Sequence, residues 1–179
     1  MSDNREAAEQ QHAAAQGSSA VPMDTTLSLD PGFTGKYTHG LDSKGRLIIP
    51  VVFRAALGEK FAVCPSPDFR NIAIYPLTAW IERRNEYISL CKKDANVRRI
   101  LDMYTKYSFV DSEMDTQGRL LLPLSLRQKM LGDAKEVDID GSYDHIIVQD
   151  SHRGEEEDLR FNDDFPDVYA YVASVQRMG

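Results

Sequence analysis

Cysteine is scarce in this chain: 179 residues hold two, Cys64 and Cys91, and no Cys-x-x-Cys pair. That excludes a disulfide scaffold and a thiolate zinc site, and it fits the reduced thiols expected in the cytoplasm. Long apolar runs are absent too. No window approaches the roughly 18 residues a membrane helix needs, so no membrane partner is expected. Charges and Gln fill residues 1–16 where a secretory signal would be apolar, so none is expected. The four histidines, His12, His39, His145 and His152, show no metal-ligand spacing with one another or with cysteine. No Gly-Lys-Ser/Thr follows a glycine-rich run, which excludes a phosphate-binding P-loop. No nucleophile is placed beside a base. The expectation is a protein that is not an enzyme, with no catalytic residue, metal, cofactor or small-molecule substrate.

What is present is unevenly distributed. The formal net charge is -7. Residues 1–32 hold one Arg against five acids, and residues 131–179 hold four basic residues against 13 acids. Residues 33–130 reverse the balance, with 16 Lys and Arg against 10 Asp and Glu. Attraction to phosphate acts over about 8 Å at physiological salt, so a basic middle can bind nucleic acid while acidic ends stay in solvent.

A repeat organises that middle. Asp42-Ser43-Lys44-Gly45-Arg46-Leu47-Ile48-Ile49-Pro50 recurs 73 residues later as Asp115-Thr116-Gln117-Gly118-Arg119-Leu120-Leu121-Leu122-Pro123. Each copy encodes a turn, a strand and a helix start. Asp42 and Asp115 can bond to backbone two residues on, and Gly45 and Gly118 tolerate positive φ. The apolar run leaves the turn as a strand. Pro50 and Pro123 end it and suit a first helical position. Phe53, Ala56 and Leu57 share a face before Gly58. Leu126, Met130 and Leu131 repeat it before Gly132.

The rest divides around those copies. Residues 1–32, rich in Ala, Gln and Ser, read as a disordered tail. The first unit spans 33–79, with strands at Phe61–Cys64 and Ile72–Tyr75. Linking helices fill 80–106. One has Trp80, Ile81, Tyr87 and Ile88 as candidate contacts. The other is capped by Asp94, with Val97, Ile100, Leu101 and Tyr104 on one expected buried face. The second unit spans 107–151. An acidic segment follows at 152–179; Glu155-Glu156-Glu157-Asp158 reads as a solvated face, and Val168–Val175 as a short helix or nothing ordered.

Turn chemistry alone accounts for one Asp-x-x-Gly-Arg copy, with each Arg paired to its Asp. Lys44 beside Arg46, the strand-borne position of the arginine and the basic surroundings point further. A two-stranded ribbon fits the DNA major groove, and Arg binds guanine edges or phosphate bidentately.

Phe33-Thr34-Gly35, the Asp42–Arg46 tip, Tyr75-Pro76-Leu77-Thr78-Ala79-Trp80, the second tip and Leu126-Arg127 together resemble the MraZ family, within the wider SpoVT-AbrB-like swapped-hairpin proteins. The resemblance covers 33–150. It implies an α+β fold: a pseudo-two-fold, AbrB-like double-split β-barrel built from two tandem β-α units in one chain, with flanking helices. It also implies a homo-oligomeric ring and binding to short direct repeats in promoter DNA. The expected role is repression of the division and cell wall gene cluster, including its own operon, in the cytoplasm and nucleoid. By that resemblance Lys44, Arg46 and Arg119 are the DNA-binding residues. Asp42, Gly45, Asp115 and Gly118 form and orient the tips. Gln117 replaces the lysine in the second tip, so the tips are expected to be unequal. The tail and the acidic, tryptophan-free C-terminal segment depart from the family pattern. An antitoxin-like interaction module and a ring-forming scaffold without DNA specificity are the alternatives.

Overall fold

The computed structural model describes residues 31–91 and 94–177. Of the disordered tail expected over residues 1–32, residues 1–30 lie outside the described residues.

The chain is α+β, as expected. The first unit comprises β1 (Lys36–Gly40), β2 (Arg46–Ile48), α1 (Val51–Leu57), β3 (Phe61–Pro65) and β4 (Ile72–Pro76). α2 (Leu77–Cys91) and α3 (Ala95–Lys106) link it to the second. That unit repeats the order as β5 (Phe109–Ser112), β6 (Arg119–Leu121), α4 (Leu124–Met130), β7 (Glu136–Ser142) and β8 (His145–Asp150). α5 (Ser151–Gln176) ends the described chain.

The strands exchange partners between units. One six-stranded sheet runs β1-β7-β8-β4-β3-β5, and β2 pairs with β6 in a separate two-stranded ribbon. Swapping the two units reverses that order onto itself. The first strand of each unit pairs with the third strand of the other, and β4 meets β8 antiparallel about Ala73 opposite Ile147. The ribbon is centred on Leu47 opposite Leu120. An approximate two-fold axis therefore relates the halves of one chain.

Side-chain alternation explains why the central strands read as unbroken apolar runs. Phe61, Val63, Ile72 and Ile74 join the main core with Leu47, Ile49, Leu120, Leu122, Leu126, Ile139 and Val148. Their neighbours Ala62, Cys64, Ala73 and Tyr75 point to the opposite face and pack with Trp80 and Tyr104. Both faces are covered, so no polar alternation survives.

The short helices form where the sequence indicates, but each proline caps its helix with an extended ψ (137° and 128°) and does not occupy the first helical position. Pro50 and Pro123 precede them at φ -52° and -56°. Phe53 and Leu57 are buried in α1, and Leu126 and Met130 in α4. Ala56 is exposed instead, because the seven-residue helix turns only one narrow stripe inward.

Three expectations need correction. Of the four residues expected on the buried face of α3, Tyr104 is fully buried, Ile100 is 44% exposed, and Val97 and Leu101 are half-buried. α3 reaches the sheet through its C-terminal half, where Tyr104 stacks on Trp80 at 6.4 Å and its hydroxyl lies 3.4 Å from Cys64 Sγ. In α2, Trp80 is buried, but Ile81 and Ile88 are each 40% exposed. Its inward stripe is narrow.

The third correction is α5. It is one 26-residue helix, where the sequence reading is a short helix at Val168–Val175 or nothing ordered. Tertiary ties hold its start. The Asp150 carboxylate accepts the backbone N–H of His152 at 2.9 Å. Arg153 donates to the carbonyls of Arg70 (2.7 Å) and Met130 (3.3 Å) and to Asn71 Oδ1 (3.0 Å). Lys36 binds both Asp158 (2.6 Å) and the buried Asp138 (3.1 Å). The Glu155–Asp158 run is thus partly an ion-pairing face, not only a solvated one. Pro166 sits inside this helix, where propensity alone argues against continuation.

Candidate nucleic-acid interface

The repeated tips adopt one hydrogen-bonding pattern twice. In the first, the Asp42 N–H donates to the Arg46 carbonyl at 3.1 Å, and the Gly45 N–H donates to the Asp42 carbonyl at 2.8 Å. Asp42 Oδ1 accepts the backbone N–H groups of Lys44 and Arg46, both at 2.9 Å. Its Oδ2 accepts Arg46 Nε at 2.6 Å. In the second, Asp115 Oδ1 accepts from Gln117 (3.0 Å) and Arg119 (2.9 Å), and Oδ2 accepts Arg119 Nε at 2.7 Å. Gly45 and Gly118 hold φ of 79° and 76°, a left-handed conformation that a Cβ disfavours. The turn role read from the sequence and the Asp–Arg pairing are therefore both present.

The pairing leaves binding capacity free. Asp42 and Asp115 engage only Nε, so among the described residues no hydrogen bond occupies the terminal guanidinium nitrogens of Arg46 or Arg119. Those nitrogens are the ones a guanine edge or phosphate takes up. The Lys44 ammonium likewise has no ion pair among the described residues, and Lys44 is exposed at the tip.

The backbone donors at the tip hold Asp42 as carboxylate. The Arg46 N–H leads this effect, the Arg46 guanidinium adds to it, and the carboxyl is pulled down to about 2. Asp115 is lowered by the same arrangement around Arg119. A folded pKa below the unfolded one, about 3.9, means that Asp42 favours the fold above pH 4. That contribution is lost as pH falls from about 4 through 2. An NMR titration of the Asp42 carboxyl carbon is expected to give a midpoint near 2; a midpoint near 4 would show that the tip is not braced.

The ribbon places both arginines on one surface. Leu47 and Leu120 point inward and are buried. Their neighbours Arg46, Ile48, Arg119 and Leu121 therefore point outward. Arg46 lies opposite Leu121, and Ile48 opposite Arg119. The two arginines form the diagonal of this patch, a separation of about 7–8 Å between backbones.

Two further arginines enter from the helices. A Cβ on Gly45 would overlap the Arg127 guanidinium, and one on Gly118 would overlap that of Arg54. Arg54 also donates to the Ile49 carbonyl at 2.9 Å. Each tip thus receives an arginine from the helix of the other unit. Sequence reading did not single these out as site residues. The signal was available: both lie eight positions after the tip arginine in their own repeat.

The tips differ in charge, as the Gln117 substitution indicates. The groove beside the second tip is lined by Glu59 and Glu113 as well as Arg54 and Asp115. Beside the first, the Leu41 N–H donates to the carbonyl of Lys135 at 2.7 Å, which brings that residue's chain close. No group of three or more metal-ligating side chains occurs among the described residues, and none of their helices is long and apolar enough to cross a membrane.

Comparison with known proteins agrees with the repeat. Residues 33–102 match the model of the family described as "MraZ protein, putative antitoxin-like". The chain is 36% identical to the transcriptional regulator MraZ of Moorella thermoacetica over 124 residues, which is 69% of this chain and 85% of that protein. Against the transcriptional regulator MraZ of Leuconostoc citreum it is 33% identical over 138 residues, 76% of this chain and 93% of that protein. It is 42% identical to the transcriptional regulator MraZ of Caldanaerobacter subterraneus over 96 residues, 52% of this chain and 64% of that protein. With that coverage, and with both tips within a single two-fold arrangement, the chain belongs to the MraZ family.

Proposed function

We propose that this chain is a sequence-specific DNA-binding transcriptional regulator and not an enzyme. The observation that carries this is the outward ribbon face, where two arginines are braced through Nε and their terminal nitrogens have no hydrogen bond among the described residues. A two-stranded ribbon of three residues per strand suits a major groove about 12 Å wide. Lys44, Arg54 and Arg127 supply the surrounding positive charge that phosphate contacts need. The names of the MraZ relatives as transcriptional regulators support the same reading.

The target is proposed to be short direct repeats upstream of its own operon, with repression of the division and cell wall gene cluster as the outcome, in the cytoplasm and at the nucleoid. The two sheets and their shared core are read as the double-split β-barrel of AbrB-like proteins, closed here within one chain. A homo-oligomeric ring lets several tips engage successive repeats, and linkage multiplies affinity through effective concentration. Self-association is supported by α5. There Phe161, Phe165, Val168, Val172 and Val175 are exposed at alternating spacings of four and three, the pattern of a helix that packs on another helix.

The test is a binding titration of the purified chain on its own upstream duplex and on a scrambled duplex of equal composition, at several salt concentrations. The upstream duplex is expected to bind more tightly at every salt, with both affinities falling steeply as salt rises. Equal affinity for the two duplexes contradicts the regulator and favours a scaffold.

A further inference from the structure

The outward ribbon face carries two aliphatic side chains that phosphate binding does not use. Ile48 is 46% exposed and Leu121 is 59% exposed. They occupy equivalent positions in the two repeats, each directly opposite a tip arginine across the ribbon. Beyond them, Val51 and Leu124 begin the two helices, again in equivalent positions and 74% and 57% exposed. A strand position facing solvent carries polar residues in most antiparallel ribbons, and here both copies break that habit at one place.

We infer that Ile48 and Leu121 read thymine, each packing on a thymine C5-methyl in the major groove beside the base contacted by the neighbouring arginine. This rests on the DNA-binding reading above and deepens it, assigning part of the base readout to apolar side chains. The argument is one of complementarity. Thymine alone among the four bases presents a methyl group in the major groove, and apolar side chains contact it there. Cross-strand neighbours on a ribbon stand about 5 Å apart. A side chain opposite Arg46 or Arg119 therefore reaches a base adjacent to the one that arginine contacts. Charge selects DNA over a second copy of this chain as the occupant. Arg119 and Arg46 lie opposite the aliphatic pair, Arg127 and Arg54 stand at the two tips, and two copies meeting face to face would bring like charges together.

The test separates the methyl from everything else. The upstream duplex is prepared twice, once with thymidine and once with deoxyuridine at every thymidine position, which removes only the C5-methyl groups. Wild type and an Ile48→Ser, Leu121→Ser double variant are titrated against both, and each protein is sized by light scattering. The wild type is expected to lose about fourfold in affinity on the deoxyuridine duplex for each methyl it contacts. The variant is expected to bind both duplexes equally, with unchanged oligomer size, because both positions are exposed. Equal wild-type binding to the two duplexes overturns the inference while leaving the regulator reading intact. A thymine preference that survives in the variant also overturns it. A change in the variant's oligomer size assigns the pair to a subunit contact and overturns it as well. Failure of the wild type to prefer its upstream duplex over a scrambled one overturns the regulator reading on which the inference stands.

Discussion

Arg46→Ala is expected to weaken binding to the upstream duplex by roughly 5- to 150-fold, the range for losing one bidentate base contact. Linked subunits enlarge the loss, because every tip in an assembly carries the change. Fold and oligomer size are expected to survive. Arg46 is half-exposed, its Nε contact with Asp42 is a surface ion pair, and the Asp42 carboxylate keeps its bonds to the Lys44 and Arg46 backbone. Arg119→Ala is expected to do less. Its tip has Gln117 where the first has Lys44, and Glu59 and Glu113 line the adjacent groove. The measurement is a parallel titration of both variants, with circular dichroism to check the fold. Unchanged affinity in Arg46→Ala contradicts the tip model, and equal losses show the two tips to be equivalent.

Leu120→Ala is expected to cost about 2–5 kcal/mol of stability, as for other buried leucines. Leu120 is 1% exposed and faces Leu47, which is fully buried, at the centre of the two-fold arrangement. A cavity there loosens the ribbon that fixes both arginines. The cross-unit bonds from the Ile49 N–H to the Gly118 carbonyl (3.0 Å) and from the Leu122 N–H to the Gly45 carbonyl (3.2 Å) flank the same point. The melting temperature is expected to fall by roughly 4–20 °C for a chain of this size. DNA affinity is expected to fall with it, since the ribbon pairs the strand of one tip directly with the strand of the other. Calorimetry together with a binding titration checks both, and a shift below 2 °C contradicts this packing.

The tips and the paired units were legible because local chemistry determines them. Asp, Gly and Pro at fixed offsets encode a turn, a strand and a helix start without help from elsewhere in the chain. The unequal character of the tips was visible at Gln117, and the structure adds Glu59 and Glu113 to it. What escaped was set by partners distant in sequence. Arg54 and Arg127 were not singled out as site residues, because only strand exchange carries each to the other unit's glycine. The burial of α3 was overestimated because periodicity marks an apolar stripe and not how much of it meets a surface; only the Tyr104 end does. α5 was unreadable for a third reason. Its acidic start is held by Arg153 and Lys36, whose partners Arg70 and Asn71 lie in the β3–β4 loop and Asp138 on β7, and Pro166 argues locally against the helix it sits in.

Hydroxyl-radical footprinting of the region upstream of the chain's own operon tests the central claim most directly. The account predicts discrete protected segments that coincide with short direct repeats, and their disappearance with Arg46→Ala. Protection spread evenly along the duplex, or retained in that variant, would contradict it.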